Sequence, residues 1–166
     1  MIVYVNDPEL LVLSQFRHEF FVGWQRPLTA EQHLQALKGS THAMVAIDKT
    51  NDQIVGFITA ITDGLTTAFI PLLEVTPAYQ NTGIGTALMT QMLVTLNAIP
   101  NIDLMCDQEL QPFYERFGMK NHTGMLIRKD PFSIAESVDW KKSAPATDFS
   151  KFGACDTRFL VASRRS

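Results

Sequence analysis

The sequence is poor in cysteine, with only Cys106 and Cys155 among its 166 residues. Two cysteines so far apart provide neither a disulfide framework nor the paired spacing of a zinc site. The histidines are scattered and stand in no motif with a serine or cysteine, so we expect ordinary surface or core residues: His18, His33, His42 and His122. The sequence therefore predicts no metal cofactor and a reduced, cytoplasmic protein.

The sequence also has no long apolar run and no large excess of one charge. No stretch approaches the roughly 18 apolar residues that a membrane helix needs. Met1 is followed by neither a basic segment nor a long apolar run, so we expect no signal peptide. The net charge of −3 and a pI of about 5.7 predict no general affinity for nucleic acid or an anionic membrane. A hydrophobic content of 46% fits one globular domain.

The most informative stretch is a glycine-rich turn at residues 79–88, between a predicted strand at 68–75 and an apolar helix. Gly83 and Gly85 let the backbone approach a ligand, and the free N–H groups of the helix favour an anion. The turn lacks the third glycine of a dinucleotide fingerprint and the Lys-Ser/Thr of a P-loop. The alternative is an ordinary strand–turn–helix whose glycines serve tight packing.

A second strand–helix unit follows the first. Residues 102–106 are a predicted strand, and a helix that begins at about Gln111 ends at Gly118. One face of this helix is apolar and aromatic: Leu110, Phe113, Tyr114 and Phe117. Two consecutive units of this kind favour parallel pairing in the middle of the sheet.

The first half of the chain predicts shorter elements. We expect a strand at residues 2–5 and a helix within 9–21, then a second helix that starts at the capping box of Thr29 and Gln32 and ends near Gly39. Strands are predicted at 42–47 and 53–62, and a last strand at 124–128.

Two motifs resemble those of the GNAT (GCN5-related) N-acetyltransferases. Gln80-x-x-Gly83-x-Gly85, after a strand that ends in Leu-x-Val-x-Pro, is similar to motif A of that family, and Phe113-Tyr114-x-x-x-Gly-Met is similar to motif B. The resemblance implies a small bacterial-type domain at residues 1–130. Its fold would be α/β (α+β): a mixed, mostly antiparallel sheet of six to seven strands, about four flanking helices, and a splay between two central parallel strands. Residues 131–166 would be an extension of unknown role.

The resemblance also implies acetyl-CoA as the acetyl donor, with its pyrophosphate in the turn. Asp107 stands where members usually have an asparagine that contacts the pantetheine arm, and an ionised aspartate can accept but not donate a hydrogen bond there. A backbone N–H of Val75 would polarise the thioester carbonyl. The expected donor-binding residues are Val75, Gln80, Asn81, Thr82, Gly83, Ile84, Gly85, Thr86, Asp107 and Phe113.

Tyr114 matches the tyrosine that serves many members as general acid to the departing thiolate; the alternative is a core aromatic on an amphipathic helix. Glu74 is the candidate general base, because the family's best-known base positions are Phe69 and Pro71 here, which cannot accept a proton. Glu74 could instead bind a cationic acceptor or lie on a solvated sheet face, and a bulge would change the face on which it lies.

The sequence says least about the acceptor, the substrate that would receive the acetyl group. Residues 21–28 form either a lid with Trp24 and Arg26 as substrate contacts, beside Glu74, or a plug between two helices. The sequence predicts an N-acetyltransferase that acetylates a primary amine by direct attack in a ternary complex, so Cys106 is not needed as a nucleophile. A non-catalytic acyl-CoA-binding or regulatory module is the alternative, and a homodimer is left open.

Overall fold

The architecture is a five-stranded sheet with three α-helices, seen in a computed structural model that describes residues 1–16, 20 and 28–125. The strands are β1 (Ile2–Val5), β2 (His42–Asp48), β3 (Gln53–Thr62), β4 (Thr67–Val75) and β5 (Asn101–Leu104). The helices are α1 (Ala30–Gly39), α2 (Ile84–Thr95) and α3 (Gln111–Glu115). Short 3-10 turns lie at Pro8–Leu10, Leu13–Gln15, Pro77–Tyr79 and Gln108–Leu110.

The strand order is β1-β2-β3-β4-β5, with every neighbouring pair antiparallel except β4 and β5, which are parallel. This confirms the predicted mixed, mostly antiparallel sheet and its parallel pair. The described residues hold five strands and three helices, fewer than the six to seven strands and four helices expected. The predicted strand at 124–128 lies mostly outside the described residues, as do Trp24, Arg26 and the extension at 131–166.

The two parallel strands separate halfway along β4. Their pairing runs from Thr67 opposite Asn101 to Ile70 opposite Leu104 and goes no further. The next residue of β4 is Pro71, which has no N–H to donate to a neighbouring strand. The rest of β4 pairs with β3, and in the described part of the chain its other edge has no partner strand. This is the predicted splay, and it leaves an opening beside β4.

A β-bulge in β4 sits at the same place. Leu72 lies opposite Thr59 and Phe69 opposite Ile61, so Ile70 and Pro71 together face one residue of β3. A bulge shifts the alternation of side chains by one residue. Residues before and after it therefore pack into one core on the α2 face of the sheet: Ala68, Ile70, Leu73 and Val75.

The α2 face carries the larger core. It contains Ile84, Leu88 and Met92, which follow one side of α2 and are each at most 4% exposed. Gly56 of β3 admits this helix closely, because a Cβ there would lie 3.1 Å from Ile84 Cγ2. At about 1.5–3 kcal/mol for each fully buried apolar side chain, these contacts fix α2, and with it the turn before it, on the sheet.

The other face of the sheet is covered by α1 and by described residues that precede it. Its core comprises Leu11, Phe16, Phe20, Leu37, Ala43, Val45, Ile47, Ile54 and Phe57. The capping box of α1 is confirmed: Thr29 Oγ1 accepts from the Gln32 N–H at 3.3 Å, and the Thr29 N–H donates to Gln32 Oε1 at 2.9 Å. None of the helices in residues 1–16, 20 and 28–125 is long and apolar enough to cross a bilayer.

The predicted helix within residues 9–21 is wrong in its described part. Two 3-10 turns stand there, and Leu11 and Phe16 between and after them are extended. The helical pattern fails because its members do not share one buried face: Phe16 and Phe20 are 7% and 3% exposed, whereas Leu10 and Leu13 are 70% and 42% exposed. Asp7 accepts from the Glu9 N–H at 3.0 Å, a local bond that holds the first turn.

Candidate active site

A cavity of about 530 Å³ occupies the opening beside the second half of β4. It lies between β4, the turn before α2, and the segment that ends in α3. Eight residues expected to bind the donor or to act in catalysis line it: Val75, Gln80, Asn81, Gly83, Gly85, Thr86, Phe113 and Tyr114. Four further lining residues were not predicted: Leu73, Tyr79, Leu110 and Arg116.

The turn before α2 presents free backbone donors to this cavity. Asn81 and Gly83 have φ of +61° and +92°, and the first bond of the helix runs from the Ala87 N–H to the Gly83 carbonyl at 2.9 Å. The N–H groups of residues 84–86 therefore precede the helical bonding pattern and, in the described part of the chain, donate to no protein group. Together with the helix dipole they offer the donors and the positive end that an anion can bind.

Short polar contacts hold the turn in this shape. Gln80 Nε2 donates to the Val75 carbonyl at 3.0 Å, which closes the turn onto the end of β4. Thr82 Oγ1 donates to the Tyr79 carbonyl at 2.5 Å. The Thr76 N–H donates to the Val55 carbonyl at 2.9 Å. Gln80 and Thr82 were both predicted to bind the acetyl donor, but their side chains make hydrogen bonds within the turn and shape it.

Tyr79 ties the turn to the end of β2. Its hydroxyl donates to Asp48 Oδ2 at 2.8 Å, and Oδ1 of the same carboxylate accepts from the Thr50 N–H and hydroxyl, each at 2.9 Å. The Thr50 N–H, followed by the Tyr79 hydroxyl, holds the pKa of Asp48 well below its usual range. No sequence pattern pairs residues 31 positions apart in this way, so the sequence gives no signal of this contact.

Glycine is favoured at positions 83 and 85 for different reasons. A Cβ at Gly83 would have nothing within 4 Å, so glycine is favoured there by the positive φ rather than by space. A Cβ at Gly85 would lie 3.7 Å from both Phe113 Cζ and Val75 Cγ2. Gly85 therefore marks where the start of α2 faces α3 across the cavity.

Tyr114 lies half-buried on α3 beside Phe113, with ring centroids 5.0 Å apart. Burial, with smaller contributions from nearby Cys106 and Glu74, raises the pKa of Tyr114 to about 12. Its hydroxyl is therefore protonated at neutral pH and can donate a hydrogen bond. Burial and the charge of Asp107 likewise raise the pKa of the Cys106 thiol, which disfavours the nucleophilic thiolate.

Glu74 lies opposite Phe57 of β3, on the face of the sheet that α1 covers. Its carboxylate is still near enough to Tyr114 to contribute to the raised pKa of that hydroxyl. Leu73 and Val75 point to the α2 face, so the side chains alternate normally here, beyond the bulge. Glu74 is thus near Tyr114, which lines the cavity, without lining the cavity itself.

Three residues that were expected to bind the acetyl donor do not line the cavity with their side chains. The side chain of Ile84 is buried in the core, so only its backbone N–H is available to an anion. Thr82 is exposed and bonded within the turn. Asp107 is exposed and precedes the 3-10 turn, where its carbonyl accepts from the Leu110 N–H at 3.0 Å. In residues 1–16, 20 and 28–125 no group of three or more His, Cys, Asp or Glu is arranged to hold a metal ion.

Comparison with known proteins gives one family. Residues 11–119 match the model of the acetyltransferase (GNAT) family. A Deinococcus radiodurans R1 structure described as an acetyltransferase is 34% identical; the match covers 77% of this chain and 88% of that one, with a TM-score of 0.72.

A GNAT-family acetyltransferase from Streptococcus pneumoniae TIGR4 is 29% identical, with 78% and 98% of the two chains covered and a TM-score of 0.63. Glucosamine-6-phosphate N-acetyltransferase from Arabidopsis thaliana shares the fold at 14% identity, with 78% and 98% covered and a TM-score of 0.57. The match to the family model spans more than half of the sequence and includes both motifs that shape the cavity. On these grounds the chain belongs to the GNAT acetyltransferase family.

Proposed function

We propose that this protein transfers the acetyl group of acetyl-CoA to a primary amine by direct attack within a ternary complex. The observation that carries the proposal is one cavity with an anion site at the start of α2 and a protonated, half-buried tyrosine on α3. An anionic donor with a thioester at its far end suits this arrangement of groups.

The residues of the cavity fit acetyl-CoA. The pyrophosphate would accept from the N–H groups of residues 84–86, with Gly83 giving the backbone its approach. The pantetheine arm would then run along the edge of β4 that β5 leaves open, where backbone groups that pair with no strand in the described part of the chain can meet its amides. Phe113 would pack against the arm from α3. Val75, at the end of β4, is the proposed donor of a hydrogen bond to the thioester carbonyl.

Acetyl-CoA supplies a thioester carbon that a neutral amine attacks, so that a C–N bond forms and the C–S bond breaks. Tyr114 would donate a hydrogen bond to the departing sulfur. The resemblance implies a general acid, but the pKa of about 12 lies above the roughly 8.5 of an ordinary thiol, so we propose that the tyrosine stabilises the thiolate by this hydrogen bond without giving up its proton. The amine nitrogen loses one proton as the C–N bond forms, and this proton, released to solvent, balances the charge of the CoA thiolate.

Glu74 is the proposed base that removes a proton from the ammonium form of the acceptor before attack, directly or through water. A primary amine has a pKa of about 10.4 and is mostly protonated at neutral pH, so attack requires a base. The carboxylate is close to Tyr114 and hence to the reacting end of the cavity. Trp24 and Arg26 stay proposed acceptor contacts, outside the described residues.

The test combines a thiol-release assay over a panel of amines with a Tyr114→Phe variant. We expect unchanged acetyl-CoA affinity and a loss of turnover of about 10²-fold or more, as for removal of an oxyanion-type donor. Phe117→Leu, on the same segment, is the control and should keep most activity. Binding without thiol release for any amine would favour a non-catalytic acyl-CoA-binding module. Full activity in Tyr114→Phe would contradict the role of its hydroxyl.

A further inference from the structure

Arg116 is held at the cavity by two contacts to a single residue. It follows α3 directly, and its side chain is exposed at the rim of the cavity. The guanidinium carbon lies 4.9 Å from the centroid of the Phe113 ring, and Nε donates to the Phe113 carbonyl at 3.4 Å. These contacts restrict the side chain while leaving its terminal N–H groups free to bind a ligand.

Arg116 is also the source of unneutralised charge in the cavity. Among the described residues that line the cavity it is the only charged one. The ion pairs found within residues 1–16, 20 and 28–125 join Asp48, Glu9 and Asp52 to other cations and do not involve Arg116. The cavity therefore combines one guanidinium with the positive end of α2, and no acidic side chain among its described lining opposes them.

The start of α2 and the Arg116 guanidinium are suited to different anionic groups. The N–H groups of residues 84–86 suit a pyrophosphate that lies close to the backbone. Arg116 is set across the cavity from them, on the Phe113 ring that faces Gly85. A guanidinium has a planar set of donors that matches a terminal phosphate in a bidentate manner. Acetyl-CoA carries one such group, the phosphomonoester on the 3′ position of its ribose, apart from the pyrophosphate.

We infer that Arg116 binds the 3′-phosphate of the donor and makes the site selective for acetyl-CoA over its 3′-dephospho form. The inference rests on the proposed function, since it assumes that the donor occupies this cavity. A phosphomonoester carries close to two negative charges at pH 7, so a single guanidinium gives a sizeable and salt-dependent contribution.

The experiment is a titration with acetyl-CoA and with 3′-dephospho-acetyl-CoA, using wild type, Arg116→Gln and Lys120→Gln. Lys120→Gln is the matched control, because it removes one exposed positive charge that does not line the cavity. We expect Arg116→Gln to bind acetyl-CoA about tenfold more weakly, as for a charge-assisted hydrogen bond, and to bind the dephospho form as wild type does. Lys120→Gln should match wild type on both.

Equal weakening towards both ligands in Arg116→Gln would place the guanidinium on the pyrophosphate and overturn the inference. Unchanged binding of both would show that Arg116 contacts no phosphate. If wild type bound neither ligand, the proposed function would fail first, and that result is distinct from the other two. Arg116→Lys tests the same point if the glutamine variant does not fold, and should keep part of the preference for the 3′-phosphate.

Discussion

The two strand–helix units of this protein differ in how they contribute to the cavity. In the β4–α2 unit a nine-residue strand leads to a twelve-residue helix with a fully buried stripe. In the β5–α3 unit a four-residue strand leads to a five-residue helix with no buried residue. The first unit offers backbone N–H groups fixed by the core, and the second offers the side chains of Phe113, Tyr114 and Arg116.

This difference indicates which groups of the cavity must be positioned accurately by the core. Backbone donors cannot be adjusted by rotamers, so an anion site made from them depends on how firmly its helix is packed. No residue of α3 is buried, so its side chains can be changed with a smaller effect on the core. We therefore expect substitutions in the first unit to cost stability, and substitutions in the second to cost mainly binding or turnover.

The largest effect on stability should come from the core of α2. Leu88→Ala removes a side chain with 0% exposure and leaves a cavity against β3, at a cost of about 2–5 kcal/mol in the free energy of unfolding. Leu110→Ala, in the second unit and 50% exposed, should cost under about 1 kcal/mol. Urea denaturation of both variants measures the contrast, and equal losses would contradict it.

A smaller effect should follow from crowding between β3 and α2. In Gly56→Ala the new methyl group would lie 3.1 Å from the Glu74 carbonyl oxygen and from Ile84 Cγ2, so α2 must shift. We expect a loss of about 1–3 kcal/mol in the free energy of unfolding, together with weaker donor binding.

Gly39→Ala, where a Cβ would meet nothing within 4 Å, is the matched control and should retain both stability and binding. Thermal unfolding with and without acetyl-CoA separates the two effects for each variant. Gly56→Ala could also bind acetyl-CoA more weakly without losing stability. That result would sharpen the comparison of the two units, because it would show that the shift of α2 affects mainly the turn before it.

The smallest effect concerns the tie between the turn and β2. The folded pKa of Asp48 is lowered by Thr50 and Tyr79, so its contribution to stability is present above the unfolded pKa of about 3.9 and is lost as pH falls below it. Asp48→Asn should therefore show a shallower loss of stability with acid than wild type. Asp63, also held at a lowered pKa by Thr66, leaves part of the acid sensitivity in both proteins.

Chemical denaturation at a series of pH values between neutral and acidic measures this slope. Tyr79→Phe removes one of the hydrogen bonds to Asp48 and should lie between wild type and Asp48→Asn. Identical slopes in all three proteins would show that the contact does not couple the turn to the end of β2.

The sequence predicted the elements whose signals are local. The glycine turn, the stripe of α2 and the capping box of Thr29 each depend on residues within a few positions of one another, and the parallel pair followed from two adjacent units. The helix predicted within residues 9–21 failed because periodic apolar residues were distributed between a buried and an exposed side. Periodicity alone does not say which neighbours will cover a face.

The features that the sequence did not predict arise from long-range contacts. Asp48 and Tyr79 are brought together by the pairing of β2 with β3 and of β3 with β4. Arg116 turns towards the cavity because the Phe113 ring and carbonyl hold it there. The splay was expected and a bulge was left open, but their position at Ile70 and Pro71 comes from pairing with both neighbouring strands. Glu74 acquires its place near Tyr114 from that geometry.

The most direct test of the account is a calorimetric titration with acetyl-CoA of wild type, Gly83→Glu and Gly64→Glu. Gly64 also has a positive φ, +75°, and open space around it, so it matches the strain and charge of the first substitution outside the cavity. We predict micromolar-range binding, about −8 kcal/mol, for wild type and Gly64→Glu and none for Gly83→Glu. Absence of binding by wild type, or equal binding by both variants, would contradict a donor site at the turn before α2.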